Sequence, residues 1–302
     1  MRTTAERVII SGVMLILVVA SIIGNVAVIV KLITLGKDFR RNHLIFIFNY
    51  AIIEFLLASF VMGVNAAYVI SNQWILGNFI CSLSCSVNYF CIISSTVTFS
   101  LLIIDRYMAI CHSLRYNTFV TKSKIQLQIL FIWIIGILFS TVPVHQKAII
   151  TSYYELGCAV DWLAASSFII VFVTFTFVLF FAIPLFVIMY CYYRIISKIK
   201  EISQTFQSPN VIPSNTISER ISSDQKVIRS HEILLFAIVM SIGPYWISKI
   251  LKMSQDQEFG PNYLTTAGSL VPLIGSLITP LIYVNMQTEI CVVTEVEDGI
   301  NV

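Results

Sequence analysis

Residues 81–116 read CSLSCSVNYFCIISSTVTFSLLIIDRYMAICHSLRY, and the placing of polar residues in this stretch decides the architecture. No charged residue occurs from Cys81 to Ile104; Asp105 and Arg106 then end the run. A helix rises 1.5 Å per residue, so the 25 residues from Cys81 to Arg106 cover roughly 37 Å, a bilayer with its headgroups. Ser82, Ser84, Ser86, Asn88, Ser94 and Ser95 make this the most polar of the apolar runs. A membrane helix with a polar stripe belongs inside a bundle, where other helices meet its hydroxyls. The stretch therefore reads as the central helix of a polytopic membrane protein.

The rest of the chain agrees. Of 302 residues, 57% are hydrophobic and only 12% charged, about half the charged share of a soluble domain. Mean hydropathy is +0.86. The apolar excess divides into spans at about 8–33, 44–70, 79–110, 125–144, 164–196, 228–251 and 263–284, each long enough to cross a bilayer. The expected fold is an all-α membrane protein: one seven-transmembrane helix bundle over residues 1–302. Ser203, Ser208, Pro209, Pro213, Ser214, Ser218, Ser222 and Ser223 mark 197–227 as a flexible cytoplasmic loop. Residues 285–302 read as a short acidic cytoplasmic tail, with Glu289, Glu295, Glu297 and Asp298.

Lysine and arginine set the orientation. One set of loops holds fourteen of them: Lys31, Lys37, Arg40, Arg41, Arg106, Arg115, Lys122, Lys124, Arg194, Lys198, Lys200, Arg220, Lys226 and Arg229. The other side holds Arg2, Arg7, Lys147, Lys249 and Lys252. The richer side is expected in the cytoplasm, which puts the N-terminus outside. Arg2 and Arg7 before an apolar run, with Val18-Val19-Ala20 inside it, also suit a signal peptide. The run is longer than a 7–15-residue signal core and leads into basic residues, which favours a span. The basic ends of the 197–227 loop suit the anionic inner leaflet or a docking cytoplasmic partner, and both readings stand. No metal cluster, nucleotide-binding loop or nucleophile motif occurs in the sequence, so neither an enzyme nor a nucleic-acid binder is expected.

Cys81 falls at the outer face and Cys158 in the second outer loop, where an oxidising exterior favours a disulfide between them. Cys85, Cys91, Cys111, Cys191 and Cys291 lie in spans or on the cytoplasmic side and are expected to be free.

Landmarks recur in nearly every span. Asp105-Arg106-Tyr107 closes the third, with Trp74 and Gly77 before Cys81 and Leu114-Arg115-Tyr116 beyond. Gly24-Asn25 lies in the first, Trp133 and Pro143 in the fourth, and Pro184 and Tyr192 in the fifth. Pro244-Tyr245 lies in the sixth, and Pro280 and Tyr283 in the seventh. In these residues the chain resembles the rhodopsin-like (class A) G-protein-coupled receptors over almost its whole length.

The resemblance implies a switch. Proline inside a helix removes a backbone hydrogen bond and kinks it, so Pro184, Pro244 and Pro280 are expected hinges. Arg106 is a permanent charge at the membrane's inner edge and needs a partner. Asp105 is adjacent to it; Asp224, twenty residues before Pro244, is either the family's resting-state acid or a solvated loop charge. Tyr192 and Tyr283 match tyrosines that line the G-protein cavity in the family. Implied partners are an extracellular small-molecule ligand, a heterotrimeric G protein and the lipid bilayer, with the plasma membrane as the expected location.

Several positions depart from the family pattern. Glu54 replaces the second-span aspartate that binds sodium, with Asn25 and Ser95 as its usual company, and Thr279 replaces the seventh-span asparagine. These changes argue against an ordinary sodium site, and no metal is expected. Ile242 stands where the sixth span usually has tryptophan; Trp246, one turn outward, lines the pocket or anchors at the interface. The tail lacks the family's basic amphipathic helix and has only Thr288 and Thr294 as hydroxyls, which gives little support to arrestin binding.

Asn88 occupies the position where amine receptors carry a carboxylate, so an amine is not expected. Leu273 occupies the position of the opsin lysine, so covalent retinal is not expected as a cofactor, although Cys158-Ala159-Val160-Asp161-Trp162 resembles the opsin second outer loop. The candidate pocket is Cys85, Asn88, Tyr89, Asp161, Trp162, Tyr245, Trp246 and Lys249. Lys249 pairs with an acidic ligand group or snorkels to the headgroups. With only a few residues ahead of the first span, a ligand-capturing ectodomain is not expected; a small organic ligand fits best, with a short peptide as the alternative. The alternatives are an opsin-like or chemosensory homologue with altered or lost signalling and, less favoured, a transporter. A transporter usually shows internal repeats and several midplane polar sites, whereas Glu54 is the one ionisable residue at depth here.

Overall fold

A computed structural model of the chain describes residues 4–34, 42–152, 155–161 and 166–206, with 266, 275–277 and 280 of the last apolar run. The expected sixth span, most of the seventh and the 285–302 tail lie outside the described residues. The first span is α1 (Thr4–Thr34). The second is α2 (Asn42–Leu56), a π-helical turn (Leu57–Met62) and α3 (Gly63–Ser71). The third is α4 (Gly77–Cys111), followed on the inner side by the short α5 (Ser113–Phe119). The fourth is α6 (Lys122–His145). A hairpin of β1 (Ile149–Ser152) and β2 (Gly157–Val160) precedes the fifth span. That span is α7 (Ser167–Phe177), a second π turn (Val178–Ala182) and α8 (Ile183–Phe206).

All five described spans are long and apolar enough to cross a membrane. In the most apolar window of α4, 67% of residues are buried, against 22% for α6, so α4 is the central helix. Its inner half, with Phe99, Leu102 and Ile103, packs with Val28 and Leu32 of α1, Leu44 and Ile47 of α2, Ile125 of α6 and Ile188, Cys191 and Tyr192 of α8. The outward faces stay apolar: Ile16, Phe131, Val171 and Phe186 are all exposed, as suits helices whose solvent is hydrocarbon.

Polar residues tie the spans together where the apolar pattern cannot choose a register. Trp133 Nε1 donates to Asn49 Oδ1 (2.9 Å), and Asn49 Nδ2 donates to Thr98 Oγ1 (2.9 Å), which joins spans two, three and four. A network satisfied on every member rigidifies the core it sits in. Just outward, Gly136 lets α6 approach α4. A Cβ at Gly136 would lie 2.7 Å from Ser94 Oγ and 2.9 Å from Phe90 Cδ2. Phe90 is itself held edge-on by Trp133, centroids 5.3 Å apart, so it has little room to yield. Gly136→Ala should therefore lower stability by about 1–3 kcal/mol, the usual range for overpacking. Thermal denaturation of the purified protein in detergent checks this; an unchanged midpoint would mean that the α4–α6 contact relaxes freely.

The fifth-span π turn has a local cause. Pro184 has no N–H for the carbonyl of Phe180, four residues back, and Phe180 lies within the turn Val178–Ala182. In the second span, Ser59 Oγ donates to the Phe55 carbonyl (2.6 Å) and so competes with the helical ladder at its own position. Helix α8 corrects one expectation: it runs to Phe206, so the first part of the 197–227 stretch is helix rather than loop. Ile195 and Ile199 continue its buried face, and Lys198 and Glu201 pair across one turn (2.9 Å).

Candidate functional site

The inner end of α4 carries a closed polar lock. Arg106 donates from Nη2 (2.6 Å) and Nε (3.1 Å) to Asp105 Oδ2. The other carboxylate oxygen, Oδ1, accepts from the Tyr116 hydroxyl at 2.7 Å. Asn42 Nδ2 at the start of α2 donates to that same hydroxyl (3.2 Å), so α2, α4 and α5 meet at one buried carboxylate. Both oxygens of Asp105 are engaged, and the guanidinium is held by charge-assisted bonds. Burial, then the Asp105 hydrogen bond and its charge, pushes the Tyr116 phenol up to about 12 from 10.0. The native state thus holds this proton more tightly than an unfolded chain does. The stabilisation is complete below about pH 10 and is lost as pH rises through about 12, so the tyrosine remains a donor throughout the physiological range.

Tyr107 points instead to His112, which ends α4: its hydroxyl lies 3.1 Å from His112 Nε2. Tyr192 is buried on α8 in the inner core, and Pro184 lies two residues past the fifth-span π turn. Asp224, Pro244 and Tyr283 lie outside the described residues.

At mid-depth the first and seventh spans meet. Pro280 cannot donate to the Ser276 carbonyl four residues before it. Asn25 Nδ2 supplies the missing donor (3.2 Å) and also bonds Ser21 O (2.9 Å). Ser21 Oγ donates to Ser276 Oγ (2.7 Å), and Ser276 Oγ reaches Met62 Sδ at 3.9 Å. Gly24 makes the approach possible, since a Cβ there would stand 2.7 Å from Pro280 Cγ. Nearby, Glu54 is buried, accepts from Ser95 Oγ (2.9 Å) and is hydrogen-bonded by Tyr50. The hydrogen bonds therefore form two groups, Glu54 with Ser95 and Tyr50, and Asn25 with Ser21 and Ser276; Thr279 lies outside the described residues.

On the outer side, Cys81 and Cys158 are bonded, with Cα atoms 5.3 Å apart, which fastens the hairpin to α4. Cys85 and Tyr89 of α4 are buried with Val160 of β2 and Ile169 and Val173 of α7. Asp161 follows Val160 and donates its backbone N–H to Ala148 O (2.9 Å). Asn88 is half-buried on α4. Cys85 and Tyr89 thus lie where α4 meets the hairpin, and Asp161 follows its second strand; Trp162, Tyr245, Trp246 and Lys249 lie outside the described residues. The sequence reading missed Tyr116 as a partner of Asp105, the Asn49 tie, and Ser276. A tyrosine in a loop and a serine in an apolar run carry no signal of their own until the fold pairs them.

The profile of the 7 transmembrane receptor (rhodopsin family) matches residues 24–283. The chain belongs to the rhodopsin family of seven-transmembrane receptors. The solved squid rhodopsin overlays this rhodopsin-family chain with a TM-score of 0.83, covering 93% of it and 78% of the squid protein. At 17% identity that likeness shows the fold, a seven-transmembrane helix bundle. A melanopsin-like protein of Danio rerio is 22% identical over 276 residues, 91% of this chain and 55% of that protein. The histamine H2 receptor of Homo sapiens is 29% identical over 143 residues, 47% of this chain and 40% of that receptor. An alpha-1A adrenergic receptor of Oryzias latipes is 26% identical over 140 residues, 46% of this chain and 30% of that receptor. The chain spans between 30% and 55% of the length of these three curated relatives. As a member of this family it is a membrane protein and not an enzyme.

Proposed function

We propose that this protein is a plasma-membrane receptor, N-terminus outside, that senses a small extracellular molecule and activates a heterotrimeric G protein. The observation that carries the reading is the inner lock: one buried carboxylate holds Arg106 on one oxygen and Tyr116 on the other. In the resting state Arg106 lies against Asp105. An agonist that binds the open state better than the closed one shifts the bundle toward it; a ligand with equal affinity for both shifts nothing. Arg106 then swings into a cavity opened between the helix ends, and the G-protein α subunit enters there. The π turn before Pro184 gives the fifth span a place to bend. With Asn88 at the amine position and Leu273 at the retinal-lysine position, the ligand is neither a simple amine nor covalent retinal.

The test is nucleotide exchange on a panel of α subunits in cells, wild type against Arg106→Ala at matched surface expression. Wild type should activate at least one α subunit, basally or with tissue extract, and Arg106→Ala should lower that signal severalfold. A well-expressed wild type silent on every α subunit would sink the reading and favour a homologue with lost signalling.

A further inference from the structure

The inner corner between the third and fourth spans carries positive charge that no acid among the described residues answers. From Arg106 to Tyr154 the chain has no aspartate or glutamate. Asp105, just before this stretch, is taken by Arg106 and Tyr116. Arg115 on α5 and Lys122 and Lys124 at the start of α6 are exposed, and none has an ion-pair partner among the described residues. Lys124 Nζ donates to the carbonyls of Phe119 (3.1 Å) and Thr118 (3.5 Å), which seats the ammonium at the end of α5. Phe119 lies one turn from Arg115 on the same face of α5, so Arg115 and that ammonium belong to one corner.

Helix α6 sets the direction in which the corner faces. Lys124 heads a row at helical spacing, Leu127, Phe131, Ile134 and Leu138, all exposed. Lys122 heads the neighbouring row through Gln126, Leu130 and Ile137. These rows are the hydrocarbon-facing surface of a span with only 22% of its most apolar window buried. The two lysines therefore stand at the headgroups of the surrounding lipid. Phe119, 54% exposed, and Leu127, 65% exposed, lie where headgroups meet acyl chains. A soluble partner arriving from the aqueous side would meet the cations but not the apolar rows one turn deeper; a lipid meets both. Three unpaired cations exceed the single charge of a simple anionic lipid. A phosphomonoester carries about −1.5 to −2 at neutral pH, so a headgroup with two of them matches the corner.

We propose that Arg115, Lys122 and Lys124 form a binding site for a polyphosphorylated inositol lipid, its phosphates on the three cations and an acyl chain along the Leu127 row. The inference takes the cytoplasmic placing of this corner from the receptor reading; the unpaired charge and the lipid-facing rows stand without it.

Native mass spectrometry of the full chain in detergent, given phosphatidylinositol bisphosphate or phosphatidylserine at equal concentration, tests it. Wild type should bind the bisphosphate lipid about tenfold or more tightly than phosphatidylserine. Arg115→Gln, Lys122→Gln and Lys124→Gln should each weaken that binding about fivefold, and the triple variant about a hundredfold. Lys31→Gln, in the last turn of α1, should leave it within about twofold, because a general attraction to basic residues would not single out the corner. Glutamine keeps an N–H for the Phe119 carbonyl; if Lys124→Gln still fails to fold, Arg115→Gln with Lys122→Gln should show a loss of about twenty-fivefold. Equal binding of the two lipids, or equal losses from Lys31→Gln and from the corner variants, overturns the proposal. Soluble inositol trisphosphate should compete about tenfold or more weakly than the lipid, since it lacks the acyl chain; equal potency would make this a site for a free inositol phosphate and overturn the lipid assignment. Tight binding that depends on the corner, in a chain silent toward every α subunit, supports the site and counts against the receptor reading alone.

Discussion

Gly24→Ala is expected to unfold a large fraction of the protein's stability reserve, although it adds one methyl group. That methyl would lie 2.7 Å from Cγ and 2.9 Å from Cβ of Pro280. A proline ring cannot rotate away, so α1 and the seventh span must separate. Separation stretches the bond from Asn25 Nδ2 to the Ser276 carbonyl, now 3.2 Å, and that carbonyl has no helical donor because Pro280 follows it by four residues. Overpacking costs about 1–3 kcal/mol, and an unsatisfied buried carbonyl about as much again. The sum, about 2–6 kcal/mol, is a large fraction of the roughly 5–15 kcal/mol by which a folded protein is stable. Gly12 on the same helix provides the control, since a Cβ there meets nothing within 4 Å and alanine is the better helix former. Melting temperature and surface expression of the two variants decide the matter: if Gly24→Ala and Gly12→Ala behave alike, the contact with Pro280 carries no weight.

Asp105→Asn should give the largest change in signalling. The substitution keeps the shape and removes the charge that Arg106 meets at 2.6 Å and 3.1 Å. A hydrogen bond to a charged group is worth about 1.5–3 kcal/mol, and 1.4 kcal/mol is a factor of ten in an equilibrium. The open state should gain roughly ten- to hundredfold over the closed one, seen as raised basal nucleotide exchange on the coupled α subunit. Tyr116→Phe removes only the second oxygen's partner and should raise basal exchange by a smaller factor, about threefold to tenfold. Basal exchange that stays at the wild-type level in Asp105→Asn would show that the carboxylate does not hold the resting state.

Much of this was legible in the sequence, for identifiable reasons. The central place of the third span followed from its serines and Asn88, since hydroxyls in hydrocarbon have to be met by other helices. The Cys81–Cys158 bond followed from depth along a helix and the chemistry of the exterior. The pairing of Arg106 with Asp105 needed only adjacency and a permanent charge. Other features were invisible because they belong to pairs of segments. Nothing in Tyr116 says that it answers Asp105, eleven residues earlier, until α5 folds back under α4. Asn25 marks the family, but its task, supplying the donor that Pro280 denies to Ser276, appears only when the first and seventh spans touch. The burial of Leu156, between two short strands, left no trace in the sequence, because it comes from packing against Met14, Val18 and Met62 of other spans. The continuation of α8 to Phe206 was missed because the serines and charges beyond Ser197 read as loop, whereas Ile199 extends the buried face.

The π turn Leu57–Met62 bears on how this chain is aligned with others. A π turn holds one residue more than an α turn across the same hydrogen-bonded closure. Relatives with an unbroken α-helix at this depth therefore correspond residue for residue on either side of the turn only if a one-residue gap is opened inside the membrane. Without that gap, every position from Gly63 to Ser71, Asn65 and Ala66 included, is matched to a neighbour about a quarter-turn around the helix.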